Sequence, residues 1–195
     1  MGLTILTTDT LHHRYFVNEI RKGYECKVYL DRRPQRQPDH PGWLTEAIDR
    51  YEEIHWGDQP LEYDEGNVDK VEAEKTLIFG TRILTNVERL GETCNCHGGV
   101  LPKYRGLDTN LWARLNNDDI GVTIHQIDEG VDSGPVYKTK KMEWPGVIPL
   151  RLINTVTALE LCLEWLEGIY GVTVYSGSRF FEYSLMPWCI KRTLL

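Results

Sequence analysis

Cys94-Asn95-Cys96-His97-Gly98-Gly99-Val100-Leu101-Pro102 is the stretch on which the fold of this chain turns. Residues Glu92 to His97 read as an extended segment, so Asn95 and His97, two positions apart, leave one face of a strand while Cys94 and Cys96 leave the other. The amide and the imidazole can then act on one atom. The glycine pair that follows lets a planar ligand or a second backbone approach closely. Downstream, Asp128-Glu129-Gly130-Val131-Asp132-Ser133-Gly134-Pro135 crowds three carboxylates into one turn. Glu129 reads as solvated. Asp132 stands in a small, rigid Asp-Ser-Gly-Pro segment, where a carboxylate can be held to orient and charge an imidazole.

Working outward, Leu3 to Thr7 is a short β-branched strand. Asp9 or Thr10 can cap a helix that carries Tyr15, Phe16 and Ile20 and ends at Gly23, and Cys26 to Leu30 is a second strand. Strand, helix, strand opens a mostly parallel central sheet with helices on both faces. Arg32 to Pro41 reads as loop, Trp43 to Ile54 as an amphipathic helix, and 55–72 as acidic and poorly structured. Thr76 to Phe79 is a buried strand ending at Gly80, and Asp108 to Leu115 is a helix capped by Asp108 or Thr109. Ile120 to Ile127 and Val136 to Met142 are neighbouring strands. The spacing of Leu152, Val156, Leu159, Leu163, Leu166 and Tyr170 predicts a long helix beginning near Pro149 and stopped by Gly171. Sites in open α/β sheets lie beyond the carboxyl ends of strands, where Thr8, Gly80, His97 and Asp132 all fall.

A chain of 195 residues is expected to form one domain, 1–195, with the tail from about 172 closing it. Twenty-two basic against twenty-nine acidic side chains give a net charge of −7, which disfavours nucleic acid as a partner. Five scattered cysteines fit reduced thiols in a cytoplasmic protein. No apolar run has the length of a membrane span and no signal peptide opens the chain, so no membrane association is expected. Cys94, Cys96 and His97 lack the spacing and second ligand pair of a zinc site, so no metal is expected and the thiols read as small buried hydrophobes. The phosphate-binding glycine motifs, the nucleophile elbow and the metalloprotease helix are absent.

Asn95-x-His97 with Leu101-Pro102-Lys103-Tyr104-Arg105-Gly106, then Gly121-Val122-Thr123-Ile124-His125 and Asp128 to Pro135, resembles the catalytic core of the 10-formyltetrahydrofolate-dependent formyltransferases over about Gly80 to Tyr137. The resemblance implies an α/β, Rossmann-like formyltransferase fold in which Asn95, His97 and Asp132 are the catalytic residues. It implies that Gly80, Thr81, Arg82, Ile83 and Leu84 border the folate and that Gln126, Ile127 and Asp128 read its pterin ring. The opening Thr7 to Phe16 looks like the short bacterial nucleotide-sugar N-formyltransferases, whose acceptor is an amino sugar carried on a nucleotide. On that likeness Thr8, Asp9, Thr10, His12, His13 and Arg14 would meet the acceptor, at a strand end suited to an anion or a sugar. Capping by Asp9 and a solvated histidine pair is the competing reading. Tyr104 and Arg105 would cover the site or anchor the turn into the next helix.

The chemistry suits these residue types. A neutral amine attacks the formyl carbon, and protonated His97 and the Asn95 amide would donate to the oxygen as it becomes negative. Asp132 would keep His97 charged and receive a proton through water. The resembling methionyl-tRNA enzymes carry a further C-terminal domain, whereas about twenty-five residues follow the last helix here. The expected donor is 10-formyltetrahydrofolate, with no metal. Other readings are formyl transfer to another small amine such as glycinamide ribonucleotide, formyltetrahydrofolate hydrolysis, and a folate- or nucleotide-sugar-binding protein without turnover. Phe180, Phe181, Tyr183 and Trp188 would form a homodimer face or pack on the sheet.

Overall fold

The computed structural model describes residues 2–33, 42–175, 182–183 and 186. The strands are β1 (Leu3–Thr7), β2 (Cys26–Leu30), β3 (Lys75–Phe79), β4 (Glu92–His97), β5 (Arg105–Gly106), β6 (Ile120–His125), β7 (Val136–Met142) and β8 (Glu182–Tyr183). The α-helices are α1 (Leu11–Arg21), α2 (Gly42–Trp56), α3 (Thr109–Leu115) and α4 (Leu150–Leu166). Six strands form one sheet in the order β2-β1-β3-β4-β6-β7, and β5 pairs with β8 in a two-stranded ribbon. The pairs among β2, β1, β3 and β4 are parallel, whereas β4 with β6 and β6 with β7 are antiparallel. This is the mostly parallel, Rossmann-like sheet expected from the sequence. The reversal at β4 brings the carboxyl ends of β4 and β6 to opposite edges of their pairing, yet sets His125, the last residue of β6, directly across from Asn95.

The sheet buries its two faces differently. Ile5, Val28, Leu77, Cys94, Val122 and Ile124 pack with Phe16, Val17 and Ile20 of α1 and with Ala158, Leu161, Cys162 and Trp165 of α4. Leu6 and Ile78, one residue out of phase, point the other way and meet Val68, Val71 and Leu90. Two 3-10 turns, Val68–Lys70 and Val87–Leu90, cover that second face over β1 and β3. Because Asn95 is in register with Ile78, Asn95 and His97 leave the sheet on this thinly covered side. Cys94 and Cys96 face α4, where Cys96 Sγ lies 3.1 Å from Cys162 Sγ.

Four sequence expectations change here. In α4 the core face is Leu152, Thr155, Ala158, Leu159, Leu161, Cys162 and Trp165, while Val156 is 43% exposed. Counting aliphatic residues put Val156 on the buried stripe, but the indole of Trp165 and small residues beneath α1 set the true rotation of the helix. The helix ends sooner than Gly171, with Gly168 in the left-handed region at φ 78°. The 55–72 segment is not structureless throughout: Asn67 accepts the Asp69 N–H at 2.9 Å and starts the turn that delivers Val68 and Val71 to the core. In addition, Asp108 precedes α3 at φ 52° and spends its carboxylate on the Met186 N–H at 2.7 Å rather than on a cap. Tyr183 stacks on Tyr104 with ring centroids 5.2 Å apart, and Phe180, Phe181, Trp188 and most of the Arg32 to Pro41 loop lie outside the described residues.

Candidate active site

Asn95, His97 and Asp132 come together with a fourth side chain, His125. His97 Nδ1 lies 3.2 Å from Asp132 Oδ2, and His125 Nε2 lies 3.4 Å from Asp132 Oδ1. Asn95 Nδ2 is 3.0 Å from His125 Nε2. Asp132 is in the left-handed region at φ 46°, and its Oδ2 accepts the Gly106 N–H at 2.9 Å. The carboxylate therefore bridges the two imidazoles from a fixed backbone turn. That turn is closed by Gly134, where a Cβ would lie 1.9 Å from the Gln126 carbonyl oxygen.

The tautomers follow from the partners. His125 Nδ1 is 2.8 Å from the Gln126 carbonyl oxygen, so Nδ1 carries a proton and donates. Its Nε2 is left to accept from Asn95, which keeps one amide N–H unspent. His97 Nε2 is 2.6 Å from the Tyr104 carbonyl oxygen and likewise donates. Its Nδ1 faces the carboxylate of Asp132. Burial is the leading influence on His97 and holds its pKa below 6.5, against the upward pull of Asp132 and the Tyr104 carbonyl. Burial thus favours the neutral ring, while the Tyr104 carbonyl at one nitrogen and the Asp132 carboxylate at the other favour the imidazolium expected from the sequence. Burial would raise Asp132, but the nearby His125 and His97 rings and the Gly106 N–H together bring it below its ordinary value. The pair has a vacant proton position between ring and carboxylate.

Gly99 is required by this arrangement: a Cβ there would sit 2.6 Å from both His97 Nε2 and Thr109 Oγ1. Tyr104 contributes its backbone, not its phenol. Its hydroxyl donates to Asp118 and its ring stacks on Tyr183, so the side chain anchors the turn into α3. Arg105 lies beside it in β5, where the ribbon continues toward β8.

Gly80, Thr81, Arg82, Ile83 and Leu84 follow β3 and are fastened to the end of β2. Asp31 Oδ2 accepts the Arg82 N–H at 2.9 Å, and Arg33 Nη1 donates to the Ile83 carbonyl at 3.0 Å. Leu84 and Ile127 pack against the same cluster on the second face, so this segment and Gln126, Ile127 and Asp128 flank one region. The Ile127 N–H donates to Thr93 Oγ1 at 3.0 Å, and Asp128 Oδ1 accepts from Ser133 Oγ at 2.6 Å, which leaves Gln126 and Ile83 exposed.

A cavity of about 150 Å³ opens beside His97, lined by His12, His13, Phe79, Cys96, Gly98, Arg151, Asn154 and Thr155 among others. Thr8 and Thr10 hold its histidines: Thr8 Oγ1 is 2.6 Å and Thr10 Oγ1 2.9 Å from His13 Nδ1, and Thr10 Oγ1 is 2.9 Å from His12 Nδ1. Thr10 has the extended geometry of an N-cap, yet its hydroxyl serves these rings instead of a helix N–H. Burial, then the charge of Arg151, drives His12 down to about 3. Asp9 and Arg14 pair with each other at 2.6 Å on the surface and do not line the cavity. Sequence reasoning missed His125, Arg151, Asn154 and Glu52. For His125 a signal existed, since the β6 alternation puts Thr123 and His125 on one face; for Glu52, within an acidic helix, there was none.

Residues 62–149 match the family model described as formyl transferase. Methionyl-tRNA formyltransferase of Desulfotalea psychrophila is 49% identical over 91 residues, 44% of this chain and 28% of that relative's length, so the aligned part spans well under half of that protein. Among solved structures, the formyltransferase PseJ from Anoxybacillus kamchatkensis, in complex with UDP-4,6-dideoxy-4-formamido-L-AltNAc and tetrahydrofolate, superposes with a TM-score of 0.59 at 20% identity, covering 95% of this chain and 86% of that one. An N-formyltransferase from Helicobacter canadensis, in complex with folinic acid and dTDP-3-aminofucose, gives 0.63 at 17% identity, over 94% and 71%. Within 62–149, the segment that holds Asn95, His97, His125 and Asp132, this chain is similar to the formyl transferase family.

Proposed function

We propose that this protein is an N-formyltransferase that moves a formyl group from 10-formyltetrahydrofolate to the amine of a nucleotide-linked amino sugar. The observation that carries the reading is the shared carboxylate of Asp132, 3.2 Å from His97 and 3.4 Å from His125, with the Asn95 amide held on His125. The exposed backbone of Gly80 to Leu84 and Gln126 to Asp128 flanks the second face of the sheet and is the donor side. The cavity of His12, His13 and Arg151 is the acceptor side.

In this mechanism the acceptor's unprotonated amine attacks the formyl carbon. A new N–C bond forms, and the carbonyl oxygen becomes negative as the carbon turns tetrahedral. The unspent N–H of Asn95 stabilises that oxygen; one such donor is worth about 3–4 kcal/mol in the transition state. The amine must lose a proton, and the His97–Asp132 pair has a place for it at Nδ1 or, through water, on the carboxylate. Collapse breaks the bond between the formyl carbon and N10 of the folate, and the departing nitrogen takes that proton. Neutral His97 thus acts first as the acceptor of a proton and then, charged, as its donor.

The 49% identity to a methionyl-tRNA formyltransferase favours a second reading in which the amine belongs to a charged tRNA. A net charge of −7 opposes it, because a tRNA-binding surface neutralises phosphates with lysine and arginine. The deciding experiment offers the protein 10-formyltetrahydrofolate with dTDP- and UDP-linked amino sugars in one set and methionyl-tRNA in another. A mass gain of one formyl group on a sugar, with unmodified methionyl-tRNA, supports the first reading; the opposite pattern supports the second. Formate release with no amine present would mark a hydrolase.

A further inference from the structure

Arg151, which lines the acceptor cavity, takes part in a charge arrangement that the proposed reaction does not itself require. Arg151, in the first turn of α4, reaches across to α2, where its Nε donates to Glu52 Oε1 at 2.5 Å and its Nη2 donates to Asp49 Oδ1. Glu52 is fully buried, and its Oε2 has no hydrogen-bond partner, with His12 Nδ1 3.7 Å away. One guanidinium is thus matched by two carboxylates, and the two histidines on the wall are kept neutral by burial. An arginine in a pocket is the usual means of binding phosphate, because its forked donors fit the anion. Here Nε and Nη2, which form one edge of the guanidinium, already serve carboxylates, and the group carries a net formal charge of −1.

We propose that the Asp49–Arg151–Glu52 group is a specificity determinant that makes the cavity beside His97 accept the uncharged or ammonium-bearing ring of the acceptor and turn its phosphates away. The inference rests on the reading of this cavity as the acceptor side. It adds the direction in which the acceptor lies: amine and ring inward toward His97, phosphates outward. Donors to the ring are present. Asn110 donates to Asn154 Oδ1 at 3.1 Å, which leaves the Asn154 amide nitrogen toward Gly98, where a Cβ would meet it at 3.2 Å. His12 and His13, neutral and fixed by threonine hydroxyls, contribute polar ring edges without charge. A volume of about 150 Å³ is far above the ~10–15 Å³ that a single water needs, so the space admits a small ring.

The test is a gain of function read by binding alone. Ring-proton NMR signals of His12 and His13 are followed while pyrophosphate or a free amino sugar is added to the wild-type protein, to Asp49→Asn and to Asp49→Asn/Glu52→Gln. Wild type should shift with the amino sugar and ignore pyrophosphate. Asp49→Asn, at a half-exposed carboxylate, should gain pyrophosphate response. The double variant should gain more, on the order of tenfold in affinity or better, as the guanidinium fork is released. Pyrophosphate shifting the wild-type histidines, or no gain in either variant, overturns the proposal. Turnover is not part of the readout: a failed formyl-transfer assay with the predicted binding pattern would count against the proposed reaction and leave this subsite standing.

Discussion

Asn95 and His125 face each other across the β4–β6 pairing, with the amide nitrogen 3.0 Å from the imidazole Nε2. The imidazole is itself pinned by the Gln126 carbonyl, so the direction of the Asn95 amide is set two residues away from it in space. His125 is therefore a positioning residue. His125→Phe should lower kcat by roughly tenfold to a hundredfold with little change in the KM for the folate, less than the loss for Asn95→Ala, which removes a donor worth about a hundredfold to a thousandfold. His125→Asn, which can still accept from Asn95, should recover part of the rate. Equal losses in all three variants would contradict the relay.

Gly99→Ala tests the fit of the His97 ring. The added methyl would lie 2.6 Å from His97 Nε2 and from Thr109 Oγ1. The ring must move, and with it the contact to Asp132. Activity should fall at least tenfold while the protein loses about 1–3 kcal/mol of stability, the usual cost of overpacking. A denaturant midpoint and a steady-state rate measured on one preparation check both parts.

Acid should destabilise the fold well before its carboxylates titrate. Burial lowers His12 to about 3 and moves His13 down as well, so between that range and 6.5 the unfolded chain binds protons that the folded chain refuses. Stability therefore falls as pH drops below 6.5. At pH 5.5, one unit under the ordinary imidazole value, His12 costs about 1.4 kcal/mol, and His13 adds a loss in the same direction. Urea unfolding at pH 7.5 and 5.5 should show this loss, and His12→Asn should remove its own share. A midpoint that does not move between the two pH values would contradict the burial of these rings.

The sequence disclosed the centre of the site and concealed its edges. Asn95 and His97 were legible because strand alternation alone puts them on one face, and Asp132 because a small rigid turn is a natural seat for an orienting carboxylate. β1, β2 and β4 were readable to the residue from short β-branched or alternating runs. The rotation of α4 was not, since Val156 and Thr155 are distinguished by what packs on them and not by hydropathy. The same is true of Glu52 and Arg151, which meet across 99 positions of sequence. No local pattern marks a carboxylate that will be buried against a distant arginine. The burial of His97 was hidden for a related reason: its partner Asp132 is visible in the sequence, but the burial that works against that partner is a property of the folded chain.

The most direct measurement is the single-turnover rate of formyl transfer in Asp132→Asn, with folate affinity measured on the same protein. If the carboxylate shared by His97 and His125 manages the proton of the attacking amine, the rate falls by a hundredfold or more while the folate binds within a few-fold of wild type. A variant that transfers the formyl group within tenfold of the wild-type rate would contradict the account.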